Sequence, residues 1–568
     1  MVLVVLMILS SFAEALSIGA VLPFLGVLTS PETIFEHAFA QPFIHFWELQ
    51  SAQELPLLFT LIFITAALLA GLARITLLWV QTHLAMAIGA DLSIQVYERT
   101  LYQPYSLHVS RNSSEILVGS QKATDLVGTI IQPTLLILSS VIILLAVSFT
   151  LLAIQPLIFL SAFLGFGFIY ATVVFLTKRR IAKNSETIAD QQIRVTKAIQ
   201  EGLGGIRDVI IDGTQPIYSK FYKEARIPMQ SALASNQVVA LSPRFGVEAL
   251  GMALIAGLAY LLAVESGSAR EVTSAIPILG ALALGAQRLL PVLQQMYNAF
   301  ITIKGNQASA NDALDLLEQP LPERAYAHPL NPLVFQTAIT LKGLGFRYTA
   351  QGPWVFRDLN LQIPKGSRVG FVGVTGSGKS TLLDIVMGLL TPTEGSLLID
   401  ETEVNTQNTC AWQAHISHVP QAIFLSDTSI AKNIAFGVPE ALIDMQRVKQ
   451  AAQHAQIAQA IEGWAEGYET LVGERGVRLS GGQRQRIGIA RALYKRSNVI
   501  IFDEATSALD NETETAVMQA VETLSQGTTI LIIAHRLSTL RNCDFVVELI
   551  DRNVRVSERY QLGSMNAA

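Results

Sequence analysis

Gly373-Val374-Thr375-Gly376-Ser377-Gly378-Lys379-Ser380, then Leu479-Ser480-Gly481-Gly482-Gln483 and Ile500-Ile501-Phe502-Asp503-Glu504, decide how this chain is read. The first string has the G-x-x-x-x-G-K-S spacing of a phosphate loop, set between a strand and a helix. In such a loop backbone N–H groups cradle phosphates, Lys379 reaches the terminal phosphates and Ser380 offers a hydroxyl to Mg2+. Asp503 follows four apolar residues, Val499 to Phe502, as expected where a buried strand delivers an acid to its C-terminal end. That places Asp503 to hold the metal and Glu504 to polarise an attacking water.

Around this unit the chain is unusually apolar. Its 568 residues leave room for two or more units of ~100–200 residues each. The formal net charge of −5 gives no sign of a nucleic-acid partner. A hydrophobic share of 51% and a mean hydropathy of +0.41 exceed the needs of a soluble enzyme, and the excess lies before about residue 305. Cys410 and Cys543 are the two cysteines, both in the ATPase half. No disulfide framework or C-x-x-C metal site follows, and that half fits a reducing compartment.

Six apolar runs, roughly 1–28, 55–90, 129–153, 156–177, 238–264 and 272–303, each reach the ~20 residues that cross a bilayer as a helix. Buried core helices do not account for that number and length. Arg99, Arg111 and Lys122 lie between the second and third runs. Lys178, Arg179, Arg180, Lys183, Arg194, Lys197, Arg207, Lys220, Lys223 and Arg226 lie between the fourth and fifth. The 29–54 and 154–155 loops hold no Lys or Arg, and 265–271 holds Arg270 alone. The basic loops, and with them the C-terminal half, are therefore cytoplasmic. On that side Asn112-Ser113-Ser114 is no glycosylation site. The first run lacks a basic n-region and stays apolar beyond a signal peptide's ~7–15 residues, so a retained span is expected, with a longer natural N-terminus. The expected fold is a six-helix membrane bundle over 1–318, a Pro-rich linker over 319–336, a cytoplasmic α/β P-loop ATPase domain over 337–558 and a tail over 559–568.

The ATPase motifs resemble the nucleotide-binding domain of ABC transporters over about residues 337–548. Leu479-Ser480-Gly481-Gly482-Gln483 resembles the signature motif, Ser507-Ala508-Leu509-Asp510 the D-loop and Gln421 the Q-loop. His535 resembles the switch histidine, and Tyr348 the aromatic that stacks on adenine. The resemblance implies ATP and Mg2+ as cofactors. It implies nucleotide contacts from Tyr348, Gly373, Thr375, Gly376, Ser377, Gly378, Lys379, Ser380, Thr381, Ser480, Gly481, Gly482, Gln483 and Asp510. Ser380, Gln421 and Asp503 would hold the metal; Glu504, His535 and Gln421 would be catalytic. It also implies a homodimer in which the signature of one subunit closes over the phosphate loop of the other. Glu474 matches a coupling loop, although a surface charge would look the same. Asn553 stands at a turn where the family has glycine. His415 and His418 are read as structural.

Six spans fused ahead of the ATPase resemble an exporter half-transporter, with coupling helices expected near Tyr105–His108 and Gly213–Phe221. Arg74, Arg244 and Arg288 interrupt apolar runs, where a charge costs at least ~2.5–3.5 kcal/mol and usually faces a cavity. Counted from the outer ends of their spans they lie about 24–30 Å deep, in one layer. Such a layer fits an anionic headgroup; arginines snorkelling at the inner boundary fit it equally. Glu14 is a counter-charge or a packing partner. The 31–54 loop, with Phe43, Ile44, Phe46, Trp47 and Leu49 after Pro42, reads as an external helix touching lipid or as a flap. Asn112–Leu117, Ser242–Glu248 and Arg288–Pro291, with the first-span Glu, are similar to bacterial lipid-linked oligosaccharide flippases of the PglK type. That resemblance implies a lipid-linked glycan or glycolipid carried across the bacterial inner membrane, with the arginines on its diphosphate. A multidrug, peptide or bulk-lipid exporter, and a tethered regulatory ATPase, are the rival readings.

Overall fold

The computed structural model describes residues 2–29, 31–36, 41–154, 156–265, 289–321, 333–504, 511–524, 527–533, 540, 543–550 and 552–557. The chain divides into two compact units, one of Met1–Gln103 and His108–Leu321, the other of Pro104–Leu107 and Pro322–Ala568.

Every regular element among the described residues of the first unit is a helix. Val2–Gly19 and Val21–Thr29 carry the first apolar run, broken at Ala20 ahead of Pro23. Leu55–Leu101 is 47 residues long. At 1.5 Å per residue that is ~70 Å, so it crosses the ~30 Å hydrocarbon and continues well past it. Gln132–Ile154, Pro156–Gly204 and Gln215–Glu265 follow, and 289–305 is helical. Val2–Thr29, Ala52–Leu101 and Ser114–Leu152 are long and apolar enough to cross a membrane. The fourth and fifth apolar runs open Pro156–Gly204 and close Gln215–Glu265, whose remaining lengths are polar. In the sixth run, 272–288 lies outside the described residues.

Local chemistry explains the joints. Asn112 caps Ser113–Leu126, its Oδ1 accepting from the Ser114 amide at 3.0 Å. In the outer loop the short Gln41–Phe46 helix turns Ile44 into a cluster with Val27, Leu55 and Phe59. Phe46 and Trp47 face outward, so one segment both covers the helix ends and presents aromatic surface. The expected coupling helix at Gly213–Phe221 takes another form. Gly213 adopts a left-handed φ of 62°, and Gln215-Pro216 then starts the long Gln215–Glu265 helix, because proline is tolerated in a first turn. The separate short helix here is Ile206–Ile211; at the other site Tyr105–Ser110 is a short helix as expected.

The second unit contains two sheets. β1 (Ala338–Phe346), β2 (Phe356–Pro364), β4 (Glu394–Ile399) and β5 (Thr402–Glu403) form an antiparallel sheet in the order β2-β1-β4-β5. β3 (Arg368–Val372), β6 (Ile416–Val419), β7 (Val499–Asp503), β8 (Thr529–Ile533), β9 (Phe545–Ile550) and β10 (Asn553–Ser557) form the sheet β10-β9-β3-β8-β7-β6. It is parallel except at β10. β7 and β8 are almost wholly buried and apolar, as parallel strands covered on both faces must be. The left-handed residue of the last turn is Arg552, at φ 68°, rather than Asn553, which opens β10.

Asp400, itself at φ 54°, clips the start of β1. Its carboxylate accepts from the amides of Gln336, Thr337 and Ala338 at 2.8, 2.7 and 3.0 Å and from the Thr337 hydroxyl at 2.7 Å. Burial pushes this carboxyl up, but those bonds outweigh it and hold it down at about 2. A depressed carboxyl stabilises the fold above its ordinary value and loses that contribution as pH falls through the folded one. Asp400→Asn is therefore expected to cost on the order of 1 kcal/mol near pH 7, seen as roughly fivefold faster amide exchange at Thr337 and Ala338. The difference from the parent should vanish as pH falls from about 4 to about 2; equal exchange at pH 7 would dismiss the clip.

Candidate active site

The phosphate loop leaves β3 and enters the Lys379–Val386 helix. Gly378 caps that helix at φ 98°, and Gly373 and Gly376 have φ 149° and 84°. Gly373 and Gly378 are also sterically required. A Cβ on Gly378 would lie 2.7 Å from both Phe356 Cζ and Val355 Cγ1, and one on Gly373 would lie 2.9 Å from the Leu549 carbonyl oxygen. The Lys379 ammonium is buried and donates to the Gly373 and Val374 carbonyls at 2.8 and 3.1 Å. Ser377 Oγ is buried with no protein partner. A cradle of left-handed glycines, an enclosed cation and an orphaned hydroxyl fit a polyphosphate. Ser380, Thr375 and Gly376 are exposed, and Tyr348 Oη lies 2.8 Å from Thr381 Oγ1 with 60% of the tyrosine exposed.

The acids arrive at the same edge. Phe371 of β3 pairs with Ile533 of β8, and Ile533 pairs with Asp503 of β7, so Asp503 stands level with the mouth of the loop. At ~4.8 Å per strand, two strands separate them by ~10 Å. Glu504 follows with a left-handed φ of 50°, its amide donating to the Ile533 carbonyl at 3.2 Å. Such a conformation costs ~1–3 kcal/mol and concentrates at functional sites. Gln421 Nε2 donates to Glu504 Oε2 at 2.6 Å. One acid escaped the sequence reading. Burial, and then the neighbouring Asp503 carboxylate, push Asp384 up to about 6. It lies inside the Lys379–Val386 helix, where no motif marks it; the sheet alone brings it near Asp503. His535 and Asp510 lie outside the described residues.

Ser480 starts the Gly481–Lys495 helix as a capping box: the Gln483 amide donates to Ser480 Oγ at 3.2 Å and the Ser480 amide to Gln483 Oε1 at 2.8 Å. Ser480 and Gly481 are exposed, so this helix presents its positive end outward. Glu474 is an exposed residue of a tight turn. His415 bonds the Leu333 carbonyl and Asn498, and His418 is lowered by burial, as structural residues should be.

Family profiles match this architecture: ABC transporter over residues 356–507, and ABC transporter transmembrane region over 1–278. An ATP-dependent lipid A-core flippase of Bordetella avium is 31% identical over 438 residues, 75% of this chain and 70% of that protein. The chain is an ABC transporter. A second ATP-dependent lipid A-core flippase, of Chromohalobacter salexigens, is 33% identical over 66% of this chain, and the alignment spans 64% of that relative's length. A solved bacterial Atm1-family ABC exporter with ATP bound shares the fold at a TM-score of 0.74, covering 98% of this chain and 94% of its own, with 22% identity. With its spans fused ahead of the ATPase, this ABC transporter is an exporter-type half-transporter.

The exporter's intramembrane arginines are not bare charges. Arg74 Nε meets Glu14 Oε2 at 3.1 Å, with the Glu14 side chain 1% exposed and Arg74 39%. Glu14 is thus a counter-charge. Arg244 Nε meets Glu248 Oε1 at 2.6 Å, one helical turn away. Arg288 lies outside the described residues.

Gly378→Ala is expected to weaken ATP binding roughly tenfold or more, since it adds left-handed strain of ~1–3 kcal/mol to a clash with Phe356. Titration with a fluorescent ATP analogue checks it; unaltered affinity would mean that the loop opens before nucleotide enters.

Proposed function

We propose that this exporter is an ATP-driven flippase for a lipid-linked oligosaccharide or glycolipid with an anionic headgroup, working as a homodimer in the bacterial inner membrane with its ATPase units cytoplasmic. The observation that carries the reading is the Arg244 guanidinium, held within an apolar span and open to a cavity beside the Glu248 of its own chain. Drug-like or acyl cargo gives no reason to keep such a charge in hydrocarbon. Likeness to two ATP-dependent lipid A-core flippases supports the same direction.

In this reading the loop from Gly373 to Thr381 holds the phosphates, Lys379 neutralises them and Tyr348 faces the adenine. Ser380, Gln421 and Asp503 hold Mg2+, which when bound offsets phosphate charge. With its amide nitrogen on Glu504, Gln421 has Oε1 left to face the cation. Glu504, fixed by that bond, takes the proton of the attacking water, and His535 donates to the terminal phosphate. The exposed Ser480–Gly481 helix end of one subunit, with Gly482, Gln483 and Asp510, completes the site on the other subunit's loop.

Glu504→Gln is expected to keep ATP affinity while lowering turnover by about 100-fold or more, with unhydrolysed ATP retained on the protein through gel filtration. Unreduced turnover would remove Glu504 as the base. In liposomes, wild type should move a labelled polyprenyl-diphosphate oligosaccharide with ATP but not with a non-hydrolysable analogue. Replacing Arg74, Arg244 and Arg288 together with Gln should cut that transport at least about tenfold, because each lost charge-assisted bond is worth ~1.5–3 kcal/mol. Transport that survives the triple change would end the anionic-headgroup reading.

A further inference from the structure

The two described intramembrane ion pairs are built differently. Glu14 is sealed among the first helices, with Ser10, Ser11 and Ser17 buried beside it in sequence, and its pair with Arg74 is a structural one. The Arg244–Glu248 pair is open, its side chains 60% and 40% exposed. It borders a cavity of about 400 Å3 lined also by Tyr170, Leu290 and Gln295. That volume suits part of a headgroup rather than a whole oligosaccharide.

The wall behind this open pair is rigid, for a reason that begins with Pro243. Proline has no N–H, so the Val239 carbonyl one turn earlier loses its helical donor. Tyr297 Oη supplies one at 3.1 Å. Gln294, also buried, donates to the Ala240 carbonyl and to Asn298 Oδ1, both at 2.9 Å, and accepts from Tyr170 Oη at 2.9 Å. The backbone that carries Arg244 is therefore pinned by two polar side chains of a neighbouring helix, Tyr297 and Gln294, the second of them held in turn by Tyr170. A rigid mount with an exposed, exchangeable ion pair at its lip is the form of a binding site.

We propose that Glu248 determines which headgroup Arg244 accepts. The inference rests on the reading of Arg244 as a headgroup residue. In the resting chain the Glu248 carboxylate occupies the guanidinium. A phosphate can displace it, because it offers the guanidinium the same charge-assisted bonds as the carboxylate. Displacement by an anion alone leaves two negative groups side by side in a poorly hydrated site, which is unfavourable. A ligand that also brings a hydroxyl donor satisfies the displaced carboxylate. The pair thus selects a glycosyl phosphate, anion and hydroxyl together, over a sugar-free polyprenyl diphosphate or a fatty acid.

The test uses the full-length protein in liposomes, reading ATP hydrolysis with a polyprenyl-diphosphate oligosaccharide and with bare polyprenyl diphosphate, each relative to the same variant without added lipid. Wild type should respond about fivefold more strongly to the glycosylated lipid, a discrimination of one ligand contact. In Glu248→Gln the bare lipid should become about as effective as the glycosylated one, and Arg244→Gln should respond to neither. If Glu248→Gln keeps the wild-type ratio, or loses both responses while melting like wild type, the selective role is overturned. If Arg244→Gln responds as wild type does, the headgroup reading itself falls. Should Glu248→Gln not fold, Glu248→Asp serves: its shorter arm loosens the pair, so a raised bare-lipid response supports the proposal and an unchanged ratio overturns it.

Discussion

Phe371, Ile533 and Asp503 lie in one hydrogen-bonded row across β3, β8 and β7, and the chemistry of the ATPase unit depends on that row. Parallel pairing sends all three strands toward the same edge. The phosphate loop leaves β3, the Asp503-Glu504 pair closes β7, and β8 lies between the two strands. A slip of one residue in β7 would turn Asp503 to the other face of the sheet. Both faces of β7 and β8 are apolar, so what holds the register is the ladder of hydrogen bonds and the side-chain packing on the two buried faces. Binding of charge at the edge is thus guaranteed by burial of neutral side chains behind it.

The membrane unit obeys a related constraint with the signs reversed. A guanidinium in hydrocarbon needs an anion, and the chain supplies Glu14 for Arg74 and Glu248 for Arg244. Where the carboxylate is sealed, removing either partner leaves an uncompensated charge, so the pair fixes the packing of the first helix on Leu55–Leu101. Where it is open, the same chemistry becomes a negotiable contact. Burial of the carboxylate, not the presence of arginine, separates a structural pair from a binding one. Lys122 shows a third arrangement: its ammonium is buried, 2.5 Å from the half-exposed Asp312 carboxylate and 3.4 Å from the Ala189 carbonyl, and so ties three helices together.

These two halves were not equally legible. The phosphate loop, the signature helix and the acid-bearing strand could be read from sequence because each is a local string whose spacing performs the chemistry. Even the capping role of Ser480 and Gln483 is a pattern of adjacent residues. Asp384 was illegible because its proximity to Asp503 arises from pairing between strands distant in sequence. Arg74 and Arg244 stood out as charges in apolar runs, yet Glu14 is far from Arg74 in sequence, and Glu248, though one turn from Arg244, reads equally well as a packing residue. The short helix at Ile206–Ile211 was missed for a further reason. Gly213 ends one helical segment by its left-handed turn, while Pro216 was better suited to begin the next than to interrupt it.

Pro243 joins these arguments. In a soluble helix it would be a local defect, with water taking the carbonyl it leaves bare. Within a membrane-spanning helix water is scarce, so the Val239 carbonyl must be met by protein, and Tyr297 meets it. Gln294 then acts twice, bonding the Ala240 carbonyl and holding Tyr170. A break in one helix thereby becomes the point at which three helices are bound together, and Arg244 is the next residue along. Rigidity at that point lets the open Arg244–Glu248 pair exchange its partner without loosening the bundle, whereas a similar pair on an unpinned helix would lose its geometry whenever the ligand left.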